Sequence, residues 1–541
     1  MKRTILILQL LMVVLVVPAQ TQQQKKQGRD FRKEFDKFKK DARKEYNDFR
    51  KKATAEYAKF VREAWEEFGA EPPIPIPEDE KVEPQIAPGF EEETASWFSK
   101  LFGGGDDGDK ANKKAEKQRK KEEKRKMREK SNVALQVEQV FTSKPAEKQP
   151  QPLAQVQQAA QSNPYMNFEV FGTECKVRVG DNCRFKLKGV TPDDVADAIE
   201  MFLKPQYDNM LYDCLQERQK NNFSDWAYYQ MLLALTNKFY GKGSNEATMA
   251  LGFLYSQSGY KMRFATDKVK LYMLVSSSYT MIGKPYFYVD GEWYYQLGDG
   301  KESLQICRAK FPKEASMSLQ IVQQQSFANK PVLERTITSV KNPDFSFTVR
   351  SNKNSIDFYD TYPCAYSDNN IMTRWANYAN TPLDQNITSQ LYPAMREKMN
   401  GMTPLEKVQQ LDWWCQGMLD LDRKQKDAKC FLYAYDETVW GYDRNFFGEE
   451  SLFYPYYDCE DRAILLSHLV RDLVGLDVVL VLYPGHLAMA VHFKENVEGN
   501  YLLINGRKFV IVDPTYVGSD VGEPMPQFKN AKVSTILLKR G

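Results

Sequence analysis

Histidine is scarce in this chain: three in 541 residues, His468, His486 and His492, all in the last third. There is no CxxC, HExxH or EF-hand pattern, so the spaced ligand sets that hold zinc or calcium are missing, and no metal or other cofactor is expected. Asp-Gly pairs such as Asp290-Gly291 and Asp299-Gly300 read as turns. Long apolar runs are scarce too. The one at Ile5 to Val17, thirteen residues, follows Lys2 and Arg3 and leads into Pro18-Ala19-Gln20. It is short for a bilayer span and no second run approaches that length, so residues 1–20 read as a removed secretory signal rather than an anchor. No cysteine follows the run, which argues against an N-terminal lipoprotein. The expected location is periplasmic or secreted, with envelope association left open.

What is present is unevenly spread. With 42% hydrophobic residues the chain can bury a large core, yet residues 1–163 hold long charged and polar stretches. Eight cysteines in an exported chain invite disulfides. Cys175 with Cys183 and Cys415 with Cys430 are the nearest candidates, with buried reduced thiols as the alternative.

Residues 28–69 predict one long amphipathic helix. Its apolar positions, Phe31, Phe35, Phe38, Ala42, Tyr46, Phe49, Ala53, Tyr57, Phe60, Ala64 and Phe68, recur with an 11-residue period, which keeps a single stripe on one helix face. That stripe could serve self-association in a right-handed coiled coil, docking on a membrane or partner, or packing onto the chain's own globular part. Residues 70–163 read as linker: PPIPIPEDEKVEP, the Gly-rich 103–109, and Gln149 to Ser162. Within it Lys110 to Lys130 holds twelve basic and four acidic residues, a net of +8. No aromatic is interleaved there, so a solvated helix or tether is expected and no nucleic-acid partner.

The globular part carries a weak internal repeat. GSNEATMALGFLYSQSGYKMRFA, from Gly243, and YDCEDRAILLSHLVRDLVGLDVVLVL share a layout of polar turn, helix, glycine and strand. Asn245 falls where Cys459 falls, and Gly259 where Gly475 falls. A helix rich in Trp, Leu and Gln precedes each, DWAYYQMLLALTNKF in one and EKVQQLDWWCQGMLDL in the other. Residues 164–314, which hold no histidine, are therefore expected to form a degenerate α/β copy. Residues 315–360, with SLQIVQQQ, ERTITSV and FSFTVR, suggest a small β module, and 361–541 the catalytic domain. The expected class is α+β.

Three residues in that last part carry chemistry. Cys459 opens a helix, where free backbone N–H groups favour a thiolate. His486 follows the Pro484-Gly485 turn and opens a strand, and Asp513 closes another before Pro514. Nucleophile, base and base-anchoring carboxylate is the set that a thiol needs for acyl transfer. The helix is expected to turn Ile464, Leu465, Leu469 and Leu473 to a core and Glu460, Asp461, Arg471 and Asp472 toward water. His468 and His492 read as packing or surface residues; six positions along one strand separate His492 from His486, too far to share a metal.

The strings DCEDRAILLSHLVRD, YPGHLAMAV and VDPTY together resemble the transglutaminase-like superfamily, with its papain-like core, in the style of exported bacterial cysteine peptidases. The resemblance covers about 405–516 and implies Cys459 as nucleophile, His486 as base and acid, and Asp513 as the residue that fixes the imidazole. It also implies an oxyanion donor upstream, for which Gln416 and Trp440 are the candidates beside the Cys459 backbone N–H. The expected substrate is a protein or peptide amide, its thioester resolved by water, as a peptidase or amidase, or by an amine, as a cross-linker. The competing expectation is an envelope-associated binding or scaffold protein that retains the fold.

Overall fold

The computed structural model describes residues 51–75, 131–143, 163–298, 300–368, 370–417 and 436–538, with isolated positions in 33–49 and 82–90. Residues 1–20, the basic run 110–130, the stretch Gln149 to Ser162 and Cys430 lie outside the described residues. The architecture is α+β, built around two six-stranded sheets. No helix among the described residues is long and apolar enough to cross a membrane.

The two sheets have one topology. The first runs, edge to edge, Trp65–Gly69, Ser303–Cys307, Met262–Thr266, Leu271–Val275, Glu292–Gln296, Tyr286–Val289. The second runs Gln136–Thr142, Lys532–Leu537, Asp477–Tyr483, His486–His492, Arg507–Val512, Tyr501–Ile504. Strand for strand the chain order is the same, and in each case an outer strand comes from the N-terminal arm. The arms differ in direction: Trp65–Gly69 pairs antiparallel and Gln136–Thr142 parallel. A helix precedes each sheet, Asn245–Gln257 in one and Cys459–Leu469 in the other. Each helix stretch ends at a glycine in the left-handed region, Gly259 at φ 94° and Gly475 at φ 73°, a conformation in which a Cβ would be strained.

The N-terminal third departs from the sequence expectation in two places. Helix covers 51–63 and stops, and Trp65–Gly69 is a strand paired residue by residue with Ser303–Cys307. The 11-residue stripe continues to Phe68, but backbone partners at an open sheet edge outweigh helical periodicity, and an aromatic-rich WEEF segment also suits a strand. Within the helix, Tyr57, Ala58 and Val61 are buried on the first copy, and the Tyr57 ring meets Phe311 edge-on at 5.5 Å. The second departure is Gln136–Thr142, expected as linker. Most of its residues are exposed, so it lacks a buried-face pattern and is held by its ladder to Lys532–Leu537.

Between the copies, Pro331–Thr338 and Ser346–Asn352 form a hairpin, whereas SLQIVQQQ is not a strand and Lys353–Tyr359 is helical. Cys175, Cys183 and Cys415 are buried free thiols, so the 175–183 pairing is not made. Cys183 instead contacts the Gln206 carbonyl and Asn163.

Candidate functional site

The Cys459–Leu469 helix is buried on all sides, Glu460 and Asp461 included, and Arg471 just beyond it is buried as well, while Asp472 is exposed as expected. This corrects the expectation of a solvent face for Glu460, Asp461 and Arg471: the helix lies between the second sheet and the helices Arg374–Ala379, Pro404–Gly417 and Gly448–Phe453. A helix sandwiched in this way needs its charges answered internally, and Asp461 accepts from the Phe446 backbone N–H at 2.9 Å.

Cys459 is the first residue of that helix and 8% exposed. Its thiol donates to the Glu460 carboxylate at 3.0 Å, while the Leu487 backbone N–H reaches the same sulfur. Leu487 is the residue after His486, so the sulfur lies against the start of the histidine strand. The helix N-terminus was expected to lower the thiol pKa. Burial, with Glu460 and Asp458 beside it, instead holds the thiol well above its ordinary value; the Leu487 N–H opposes this.

His486 and Asp513 meet across neighbouring strand ends, Nε2 to Oδ2 at 3.0 Å, with both side chains fully buried. Asp513 accepts a second bond, from the Thr515 backbone N–H, at 3.0 Å. A carboxylate can only accept, so it holds the imidazole proton on Nε2 and leaves a lone pair on Nδ1. Nδ1 is buried and has no hydrogen-bond partner. The imidazole lies parallel to the Phe528 ring, 5.3 Å between centroids and 3° between planes, with Tyr483 6.0 Å away. These rings fix the plane of the imidazole.

The two oxyanion candidates differ in availability. The Gln416 amide is committed: Nε2 donates to Asp412 at 3.0 Å and toward Ser519, and Oε1 accepts from the Gly518 N–H at 2.9 Å. Gln416 thereby pins the loop that follows Asp513 instead of offering a free donor. The Trp440 indole N–H is buried without a partner. Trp440 lies on the short helix Asp436–Trp440, its ring edge-on to Tyr454 at 4.7 Å.

Carboxylates to which the sequence reading gave no role in the site crowd Cys459. Asp458, Cys459 and Glu460 form one grouping whose ligand atoms lie within 4.8 Å of one another, and Asp436, Asp458 and Asp461 form another; either could hold a metal ion. Burial, then Glu460, pushes Asp436 up to about 8. Asp412, beneath Asp513, is held well above the carboxylate range by burial and then by Asp513. The spacing DCED was visible in the sequence, but Asp436 arrives from twenty-two residues upstream of Asp458 and no periodicity announces it. His468 is buried, its ring nitrogen 3.4 Å from the Tyr378 carbonyl, and His492 contacts the Lys508 carbonyl through Nδ1 at 2.9 Å.

The register fixes what stands at these places in the first copy. Thr266 lies seven residues after Gly259 and pairs with Leu271; Leu482 lies seven after Gly475 and pairs with Leu487. On the next ladder Leu274 pairs with Gln296 as Ala490 pairs with Ile511. Lys270 and Gly298 therefore occupy the positions of His486 and Asp513, and Asn245, like Cys459, is the first residue of its helix. The Leu271 N–H donates to Asn245 Oδ1 at 2.9 Å, as the Leu487 N–H reaches Cys459. No family model, curated protein or solved structure matches this chain.

Proposed function

We propose that the second copy is a transglutaminase-like cysteine enzyme of an exported chain, forming a thioester on protein or peptide amides. The observation that carries this reading is the His486–Asp513 pair: it leaves Nδ1 as an unoccupied base at the strand end whose next N–H touches the Cys459 sulfur. In the reaction the thiol gives its proton to Nδ1 as sulfur attacks the amide carbon. The imidazolium, stabilised by Asp513, then protonates the leaving amine. Water or an amine resolves the thioester. Of the two oxyanion candidates the Trp440 indole N–H is the available one, because it alone has a donor to spend. The first copy, with asparagine, lysine and glycine at the three positions, lacks nucleophile, base and anchor together.

A second reading, a binding or scaffold protein, is favoured by one observation: the thiol is bonded to Glu460 and held protonated rather than engaged with His486. The test exposes the full chain and its Cys459→Ala variant to glutamine- and amide-containing peptides and reads intact mass. A trapped adduct, or cleaved or cross-linked peptide in the wild type alone, supports the enzyme. No change, with folded protein and Cys459 inert to iodoacetamide at neutral pH, favours the scaffold.

A further inference from the structure

The first copy holds none of the three reactive residue types at these positions, and the corresponding hairpin tip is exposed at Lys268, Val269 and Lys270. Asp267-Lys268-Val269-Lys270 forms the hairpin tip between Met262–Thr266 and Leu271–Val275. Asn245 binds this tip from the helix start, accepting from the Leu271 N–H and donating to the Val269 carbonyl at 3.2 Å. Val269 is 81% exposed, the most exposed of the large hydrophobic side chains among the described residues. The half-buried asparagine ties the backbone of the turn to the helix start and leaves the valine standing out as a raised lip.

That lip is basic. Lys268 and Lys270 flank Val269 in the turn, and both are exposed. Lys242 lies two residues before the cap Ser244 of the same helix and is also exposed. Lys301 reaches the tip through Asp267 at 3.1 Å, and Lys186 lies 3.9 Å from Glu246 in the first helical turn. Five lysines thus face two carboxylates, Asp267 and Glu246, each already bonded to backbone N–H groups. Lys268 also sits at φ 74°, in the left-handed region where a lysine is strained. The Ile504–Arg507 hairpin of the other copy uses Asn505-Gly506 at its tip, the relaxed choice. Charge and an apolar knob are kept here against local conformational preference.

We propose that this lip is a docking surface for an acidic peptide segment, taking side-chain carboxylates on Lys268, Lys270 and Lys242 and an apolar residue on Val269. Its position corresponds by register to the mouth at which Cys459 would meet an amide, so the duplicated fold presents one reactive mouth and one that only binds. An extended peptide is favoured over nucleic acid. The cations are all lysine, without the planar guanidinium fork, and the nearest ring, Tyr272, is buried and bonded to Asp267 at 2.8 Å, so no free face is offered to a base. The inference does not depend on Cys459 being active.

The test is fluorescence anisotropy of a labelled deca-glutamate peptide with the full chain. The expected result is saturable binding that weakens as salt rises, falls about tenfold in the Lys268→Glu/Lys270→Glu variant, and is unchanged in Lys398→Glu, an exposed lysine of the other half. The acidic-peptide assignment is overturned by absence of binding, by equal binding in the charge-reversed variant, or by an equally charged single-stranded oligonucleotide binding more tightly than the peptide.

Discussion

The Cys459 thiol is hydrogen-bonded to the Glu460 carboxylate at 3.0 Å, although the neighbouring imidazole has an empty acceptor at Nδ1. A carboxylate beside a buried thiol stabilises the protonated form, because ionising the sulfur would place two negative charges together in a medium that screens them poorly. Glu460→Gln removes one of those charges and keeps the shape. The expected outcome is a fall in the midpoint of iodoacetamide alkylation at Cys459 by about one pH unit, the usual scale for one nearby charge. An unmoved midpoint would mean that burial alone sets it.

Asp513 acts on the reaction only through the imidazole, so its removal should leave folding largely intact and slow chemistry. With Asp513→Asn the proton is no longer held on Nε2, and Nδ1 loses its assured lone pair. Single-turnover acylation of Cys459 by an activated ester, followed by intact mass, should slow by about 100-fold or more, as for other triads that lose the orienting carboxylate. His486→Ala should cost about as much, and the double variant little beyond either single one, because the two side chains act as a unit. Additive losses would argue against that coupling.

Much of the second copy could be read directly from its residues. Continuous apolar runs such as DVVLVLY and the breaks at Gly475 and Pro484-Gly485 mark elements whose packing agrees with their local preference. The strand order that the two sheets share was also legible as layout, since Asn245 and Gly259 stand in the order of Cys459 and Gly475. What escaped was tertiary. Trp65–Gly69 continues a helical stripe and is a strand because an edge is open to it. Glu460 and Asp461 look solvent-facing until three helices cover them. Gln416 is polar in the right place, yet its amide is spent on Asp412 one helical turn away and on Gly518 and Ser519, which lie 102 and 103 positions along the chain.

Glu449 gives a stability prediction whose sign is fixed. Burial, and next Asp384, raise this carboxyl to about 8, against an ordinary value of 4.5. The folded state therefore favours its protonated form. That contribution is fully present below about pH 4.5 and is lost as pH rises toward 8, by about 4–5 kcal/mol if nothing else changed. Glu449→Gln keeps an acceptor for the Asp384 N–H and cannot ionise. Thermal denaturation from pH 5 to 8 should show the wild type losing stability relative to the variant as pH rises. Parallel curves would place the titration of Glu449 at its ordinary value.

The N-terminal arm is structurally part of both copies, which bears on any attempt to isolate the second one. Trp65–Gly69 closes one sheet edge and Gln136–Thr142 the other. Between them Ala87 donates to the Val517 carbonyl at 2.7 Å and Val517 to Gln85 at 3.0 Å, a few residues beyond Asp513. A chain beginning at residue 144 would expose both edges and lose Tyr57, Val61, Phe90 and Leu135 from the core, baring the apolar surface they cover, each such side chain being worth about 1.5–3 kcal/mol where it is withdrawn from water. The expected outcome is a fragment that aggregates or melts well below a chain beginning at residue 51, seen by size exclusion and thermal denaturation. Adding the 131–143 segment back in trans should restore order around Lys532–Leu537 first, because that parallel ladder is its partner, and hydrogen exchange at those amides would report it. A fragment from residue 144 that melts with the longer chain would show that each copy closes without its borrowed strand.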